Sequence, residues 1–260
     1  KEVILALKAQ TVSLGEIIVV DDGSNDNTGE IASNYDCHLI KNPIAQGRGS
    51  ARNIGVKNTN AELILFCDSS NLIPPDFVEK AVRHFKDPRV SAVFGRIKND
   101  KRLKDPYSRW RAKHLFREHL PHRNDVHEVK CLITYAVILR RNAIEKVGNF
   151  DERLKKCEDI DLGKKLIAKG FKIVSDPSLC AYSIRSETMR SLCLRFNRWF
   201  SSDSENSFRI IPTFWNTLRS CYRIYAKEDL KSRDFGTLAI SLLMPFWLTV
   251  IGFLTPNKLN

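Results

Sequence analysis

The feature that most constrains this chain is the run Glu16-Ile-Ile-Val-Val20, apolar and mostly β-branched, stopped abruptly by Asp21-Asp22-Gly23-Ser24. Side chains branched at Cβ fit a pleated surface covered on both faces, so the run predicts a buried strand. In an open α/β sheet, ligands bind at the carboxyl ends of strands, which puts Asp21 and Asp22 where chemistry is expected. A turn capping a helix from Thr28 onward would account for one of these acids but not for both.

Strand and helix signals alternate around this run. Lys1–Gln10 is helical in propensity, and a short helix is predicted near 28–35. A strand follows at Cys37–Lys41, then Gln46-Gly47-Arg48-Gly49 opens a helix to about residue 58. Glu62–Cys67 is a second apolar strand ending at an acid, Asp68. Pro74-Pro75-Asp76 starts a helix with apolar residues at 77, 78, 81, 82 and 85, and Val90–Phe94 is a further strand. This rhythm predicts an α/β fold with a Rossmann-like, mostly parallel sheet flanked by helices. The glycines of 47–50 lack the Lys-Ser/Thr of a phosphate loop and read as a tight turn into a helix.

Charge narrows the class of partner. Lysine and arginine number 42 against 30 acids, a net charge of +12, with most of the excess beyond residue 95. No RNA-binding or helix-turn-helix pattern accompanies it, so the expected partners are a membrane surface and a diphosphate, with no nucleic acid. Seven scattered cysteines without a CxxC pair predict reduced thiols of a cytosolic compartment. Residues 96–130 are polar and basic, and His114, His119, His122 and His127 fit no common zinc spacing; a solvated loop or an acceptor-binding insertion is expected there.

Order signals return at Leu132–Leu139, a strand, and Arg140–Gly148, a short helix with a C-terminal glycine. Glu158, Asp159 and Asp161 open the next helix, where acids suit the helix dipole, and Phe171–Val174 is a strand. Residues 188–200 are amphipathic and basic, and Phe214, Trp215, Leu218, Tyr222 and Tyr225 form a second stripe after Pro212. Thr237–Leu254 carries no charge; at 1.5 Å per residue it spans about 27 Å, which predicts a transmembrane helix over 236–256, kinked at Pro245. Lys227, Lys231 and Arg233 before it favour a cytoplasmic N-terminal side, hence a single- or multi-pass protein at the cytoplasmic face of a membrane.

Several of these stretches also carry a resemblance. Ile18-Val-Val-Asp-Asp-Gly-Ser-Asn-Asp-Asn-Thr28, Gly49-Ser-Ala-Arg-Asn-Ile-Gly55, Asp68-Ser-Ser-Asn-Leu-Ile-Pro-Pro-Asp-Phe77, Gly148-Asn-Phe-Asp-Glu152, Glu158-Asp-Ile-Asp-Leu162 and Ala168-Lys-Gly-Phe-Lys-Ile173 follow one another as in the family 2 glycosyltransferases of GT-A fold. Arg195-Phe-Asn-Arg-Trp199 is similar to the Q/RxxRW motif of membrane-bound polysaccharide synthases. The resemblance covers roughly residues 1–200. It implies a GT-A domain over 1–185, with a nucleotide-sugar half at 1–95 and an acceptor half at 130–185. Amphipathic interfacial helices at 186–235 and the transmembrane segment would follow. A strand and a loop precede the first helix in that family, so an N-terminally truncated domain is expected.

The implied activity is inverting transfer of a sugar from a nucleotide-diphosphate sugar, of UDP type, to a hydroxyl or phosphate on a saccharide or lipid carrier. Asp159 would be the general base, paired with Glu158, since an acceptor hydroxyl must lose its proton to a carboxylate as the new bond forms. Asp21, Asp22, Arg52, Asp68 and Arg198 would bind the donor, and Asp161 and Trp199 the acceptor. Asp68 and Ser70 would hold Mg²⁺ or Mn²⁺, with Ser70 standing where the family carries a second acid. The alternative is a catalytically inactive, glycosyltransferase-like binding module. A phosphoacceptor receiver domain also pairs acids after a strand, but it would explain neither Glu158-Asp159 nor Trp199.

Overall fold

The computed structural model describes residues 1–121, 123–200, 218–219 and 221–254, without the side chains of 197–200 and 249–254. The first elements are α1 (Glu2–Lys8), β1 (Ile18–Asp22), α2 (Thr28–Ser33), β2 (His38–Asn42), α3 (Arg48–Lys57) and β3 (Leu63–Cys67). Next come β4 (Asn71–Leu72), α4 (Phe77–Val82), β5 (Val90–Asn99), α5 (Pro106–Trp110), β6 (His127–Glu128) and β7 (Ala136–Arg140). The last are α6 (Arg141–Lys146), α7 (Glu158–Ala168), β8 (Lys172–Ser183), α8 (Met189–Phe200), α9 (Lys227–Lys231) and α10 (Phe235–Leu254). They divide into two units, one of Lys1–Lys98 with Pro121–Ser183, the other of Asn99–Leu120 with the chain from Ile184 on.

In the first unit the apolar runs became strands, as their branching predicts, although Ile18, Val19 and Val20 of β1 are half-buried and not fully covered. β1 and β2 pair in parallel, Ile18 opposite His38 and Asp22 opposite Asn42. The larger sheet has the order β3-β7-β5-β8-β4, with β6 beside β8. β7 is antiparallel to both β3 and β5, which therefore run in the same direction on either side of it. β4 and β6 are antiparallel to β8. Strand pairing in this unit is thus mixed, parallel between β1 and β2 and antiparallel where β7 meets β3 and β5 and where β8 meets β4 and β6, which refines the expectation of a mostly parallel sheet.

β7 is buried along its whole length because its alternate residues feed two cores. Val137 and Leu139 join Phe66, Phe94, Leu162 and Leu166 on the face covered by α3, α6 and α7. Ala136 and Ile138 join Phe77, Val78, Phe85 and Val93 on the face covered by α4. The period of two in a strand places neighbours on opposite faces, so a strand apolar throughout is one covered on both sides. At Gly95 the strands approach so closely that a Cβ would lie 2.0 Å from the Leu179 carbonyl oxygen, which excludes any side chain.

The second unit departs from expectation. Residues 99–120 do not form a solvated loop: Trp110 and Arg111 are fully buried, in α5 and in a π-helical turn at Arg111–Leu115. Arg111 Nη1 donates to Glu187 Oε1 at 2.8 Å, and its Nε donates to Asn99 Oδ1. Asp229 accepts from Lys113 Nζ (2.7 Å), Thr237 Oγ1 (2.8 Å) and Ser241 Oγ (2.6 Å), with His114 Nε2 at 2.9 Å. Burial works against this carboxylate, but the bonds from His114, Lys113 and Ser241 hold it far below the ordinary range.

The transmembrane expectation for 236–256 finds no support in the structure. Among the described residues, no helix is long and apolar enough to cross a membrane. Along α10, Thr237 and Ser241 lie one turn apart and spend their hydroxyls on Asp229, while Ile240 and Met244 pack with Trp110, Leu192 and Phe196. Of the expected stripe after Pro212, residues 212–217 lie outside the described residues.

Candidate active site

The site is assembled where β1, β3 and the start of α7 deliver their acids, and α3 ties these together. Asp21 Oδ1 accepts from Ser24 N (3.0 Å), closing the turn after β1, and Asp21 is buried. Asp22 Oδ1 accepts from Asn42 Nδ2 (3.0 Å) and Gln46 N (2.9 Å), and its Oδ2 from Gly47 N (2.8 Å). Burial opposes ionisation of Asp22, yet these three bonds outweigh it and hold its carboxyl below the ordinary range. A carboxylate bonded to the amides that lead into a helix fixes its entry and suits the dipole. Asp22 thereby fixes the N-terminus of α3, with Gly47 at φ 100°, a conformation open to glycine.

From α3, Arg48 and Arg52 project one turn apart, and both reach Glu158. Arg52 Nη1 donates to Glu158 Oε1 at 2.7 Å and Arg48 Nη2 to Oε2 at 3.0 Å. Glu158 is 1% exposed, Arg52 11% and Arg48 46%. The Arg52 guanidinium lies 5.5 Å from the Phe150 ring centroid, and its Nη2 stands 3.6 Å from Asp68 Oδ1. The next residue holds Phe150 in place: Asn53 Nδ2 donates to the Phe150 carbonyl (2.9 Å), and Phe150 N donates to Asn53 Oδ1 (3.0 Å). The Arg-Asn pair of α3 therefore clamps the acids on one side and the 150–152 loop on the other.

Among the described residues, Asp159 is the acid of this cluster with no lysine or arginine at ion-pair distance. Its Oδ2 accepts from Thr134 Oγ1 at 3.4 Å, and its Oδ1 accepts from Ile160 N at 2.9 Å. Burial first, and then the charge of Glu158, push its carboxyl above the ordinary range; the Ile160 N–H, Arg52 and Arg48 pull the other way. Asp68 is raised by burial too, with Asp159 and Glu158 adding and the two arginines opposing. About half of the Asp68 side chain (49%) reaches solvent, so water moderates that push.

The structure thus joins Arg52, Asp68, Glu158 and Asp159 in one cluster, and connects Asp22 to it through α3. Asp21 is turned into its own turn. Asp161 points elsewhere, pairing with Lys165 at 2.7 Å one helical turn on. Ser70 is half-buried in the turn between β3 and β4, and Asn71 is buried, donating to the Tyr135 carbonyl (3.0 Å). Arg198 and Trp199 lie on α8, with side chains outside the described residues. Sequence reasoning missed Arg48 and Thr134. The signal for Arg48 was present, since Arg48 and Arg52 at i and i+4 share one helix face; Thr134 carried none.

A divalent cation fits this set only with outside help. Among the described residues, no group of three or more His, Cys, Asp or Glu could hold a metal ion. Asp68 and the Ser70 hydroxyl offer one carboxylate and one neutral oxygen. Magnesium is commonly held by one or two carboxylates together with substrate phosphates and water.

Comparison with known proteins completes the picture. A family profile described as Glycosyl transferase family 2 matches residues 1–148. A pre-mycofactocin glycosyltransferase of Mycobacterium tuberculosis is 31% identical over 182 residues, covering 66% of this chain and 38% of that protein. A poly-beta-1,6-N-acetyl-D-glucosamine synthase of Staphylococcus aureus is 25% identical over 224 residues, covering 84% and 53%. The chain thus spans about four-tenths to half the length of these relatives. Among solved structures, S. aureus TarS 1-349 in complex with UDP superposes with a TM-score of 0.55 at 17% identity, covering 98% of this chain and 87% of that one. GalNAc-T7 with UDP, GalNAc and Mn²⁺ gives 0.56 at 13% identity, covering 98% and 55%. These two likenesses show the fold, and the profile match over more than half of the chain shows the family: this chain belongs to glycosyl transferase family 2.

Proposed function

We propose that the protein transfers a sugar from a nucleotide-diphosphate sugar, of UDP type, to an acceptor hydroxyl or phosphate on a saccharide or lipid carrier, with inversion at the anomeric carbon. The observation that carries this reading is the division of labour between adjacent acids. Glu158 spends both oxygens on Arg48 and Arg52, whereas Asp159 keeps a half-buried carboxyl oriented by Thr134 and Ile160. Asp159 accepts the acceptor proton as the acceptor oxygen attacks the anomeric carbon, and the bond to the nucleoside diphosphate breaks on the opposite face. A single displacement of this kind inverts the centre. An elevated pKa suits the task, because a base works best near the operating pH.

Asp21, Asp22, Arg52 and Asp68 are the donor-side residues in this reading, with Arg198 from α8. Asp161 and Trp199 are the acceptor-side ones. Asp22 acts by setting α3, and Arg52 by facing the departing diphosphate. When bound, Mg²⁺ or Mn²⁺ on Asp68 and Ser70 would neutralise charge on that diphosphate. The UDP of the TarS complex and the UDP and Mn²⁺ of the GalNAc-T7 complex support the donor class and the cation. For location we propose the cytoplasmic side of a membrane surface. The net charge of +12, the seven free cysteines and the exposed Phe235, Leu243 and Trp247 of α10 support that reading.

The test is transfer itself. The chain, incubated with radiolabelled nucleotide sugars and native membranes, is expected to label an acceptor from one donor. Asp159→Asn should lose at least 10²-fold in rate while binding UDP as the wild type does. A variant that keeps more than about a tenth of the rate takes Asp159 out of the base role.

A further inference from the structure

Resting on that reading, the geometry points to a donor-binding residue that the motifs do not mark. We propose that Arg48 binds a phosphate of the nucleotide donor and supplies positive charge that the single-acid cation site lacks. Glu158 carries one negative charge and is closed between two guanidiniums. Arg52 is the inner partner, 11% exposed and stacked near Phe150. Arg52 also faces Asp68, its Nη2 3.6 Å from Oδ1, whereas among the described residues Glu158 is the one acid at ion-pair distance from Arg48. Arg48 is 46% exposed and reaches Glu158 through Nη2. A guanidinium offers five N–H donors in a planar fork that matches phosphate oxygens, so one bond to Glu158 orients Arg48 without exhausting it.

Two further observations direct that charge to a phosphate. The backbone N–H groups of Gln46 and Gly47, just ahead of α3, are already spent on Asp22 and are closed to a phosphate, whereas the Arg48 side chain beside them is not. Arg48 is bonded to Glu158, the residue before Asp159 on α7, and the other partner of Glu158, Arg52, stands 3.6 Å from Asp68, which places Arg48 beside the acids of the cluster. Asp68 is the carboxylate for a cation there, and Ser70 beside it brings no charge. A diphosphate entering at Asp68 would meet a cation held by one acid, with Arg52 and Arg48 behind it.

Calorimetric titration of the 260-residue chain with UDP and with uridine, each with excess Mn²⁺ or with EDTA, tests this. Arg48→Gln is expected to weaken UDP binding about tenfold or more in EDTA, less with Mn²⁺, and to leave uridine binding unchanged. Arg48→Lys should recover part of the loss, since it restores a point charge without the fork. Equal weakening of uridine and UDP would mean that Arg48 shapes the pocket, and an unchanged UDP affinity in EDTA would mean that it does not touch the donor; either overturns the inference alone. A wild type that binds none of UDP, GDP, TDP or CMP overturns the donor reading and the inference together.

Discussion

Glu158→Gln is the substitution that most directly probes how the cluster is held. It keeps the volume and removes the charge. In the wild type each oxygen accepts from a different arginine, at 2.7 and 3.0 Å, in a residue 1% exposed. A glutamine can offer its one oxygen to one guanidinium, but its NH₂ then faces the donors of the other. Loss of a hydrogen bond to a charged group costs about 1.5–3 kcal/mol, and breaking a buried pair about 3–5 kcal/mol. Arg48 is half in solvent and can turn outward, so its share is discounted; Arg52 is enclosed and keeps most of its penalty. The expected cost is about 3 kcal/mol, which for a domain of this size lowers the melting temperature by about 6–12 °C. No tryptophan falls within Lys1–Lys98 or Pro121–Ser183, so the unit that holds Glu158 should be followed by hydrogen exchange of peptides from α3 and α7. Protection there should fall most. A variant that loses less than about 1 kcal/mol, with α3 and α7 as protected as before, refutes the claim that Glu158 anchors both arginines.

Two further outcomes concern the neighbouring acids. The active form of Asp159 is the carboxylate, so the acid limb of kcat/KM should lie at higher pH than an ordinary aspartate gives. The same upward shift means that ionising Asp159 costs folded-state stability once the pH exceeds its unfolded pKa, so Asp159→Asn should be more stable than the wild type at neutral pH. That advantage should vanish in acid, and denaturation at pH 3 and pH 7 checks the sign. For the cation, half-saturation of UDP binding by Mn²⁺ should need less metal in Ser70→Asp than in the wild type, because a second carboxylate joins the first; equal requirements would remove residue 70 from the coordination sphere.

Much of the first unit could be read from the chain because its determinants are local. β1 and β3 are short apolar runs ended by acids, and such a run marks a strand even where most of it is half-buried. The acids of the site followed from the same runs and from the start of α7. The second unit was hidden for the opposite reason. Trp110, Arg111 and His114 are buried through partners at 187, 229 and 241, and charge pairing across such separations leaves no apolar period in a window of ordinary length. The span 237–254 contains no charge, and Thr237 and Ser241 at i and i+4 already mark the flank that meets Asp229. Arg48 was passed over as part of a glycine-rich turn, when its spacing from Arg52 announced a shared acid.

The interleaving of the two units has a practical consequence for anyone who cuts or grafts this protein. A truncation after residue 185, which the family motifs invite, would keep residues 99–120 and discard the partners that bury them. Arg111 would lose Glu187, and Lys113 and His114 would lose Asp229. Trp110 would lose Ser241 and the apolar cluster around it. Such a product would expose a cationic, aromatic stretch in the middle of its sequence and invite aggregation or proteolysis there. A chimera that exchanges the C-terminal region with a relative must carry 99–120 along with it, as one module written in two places of the gene.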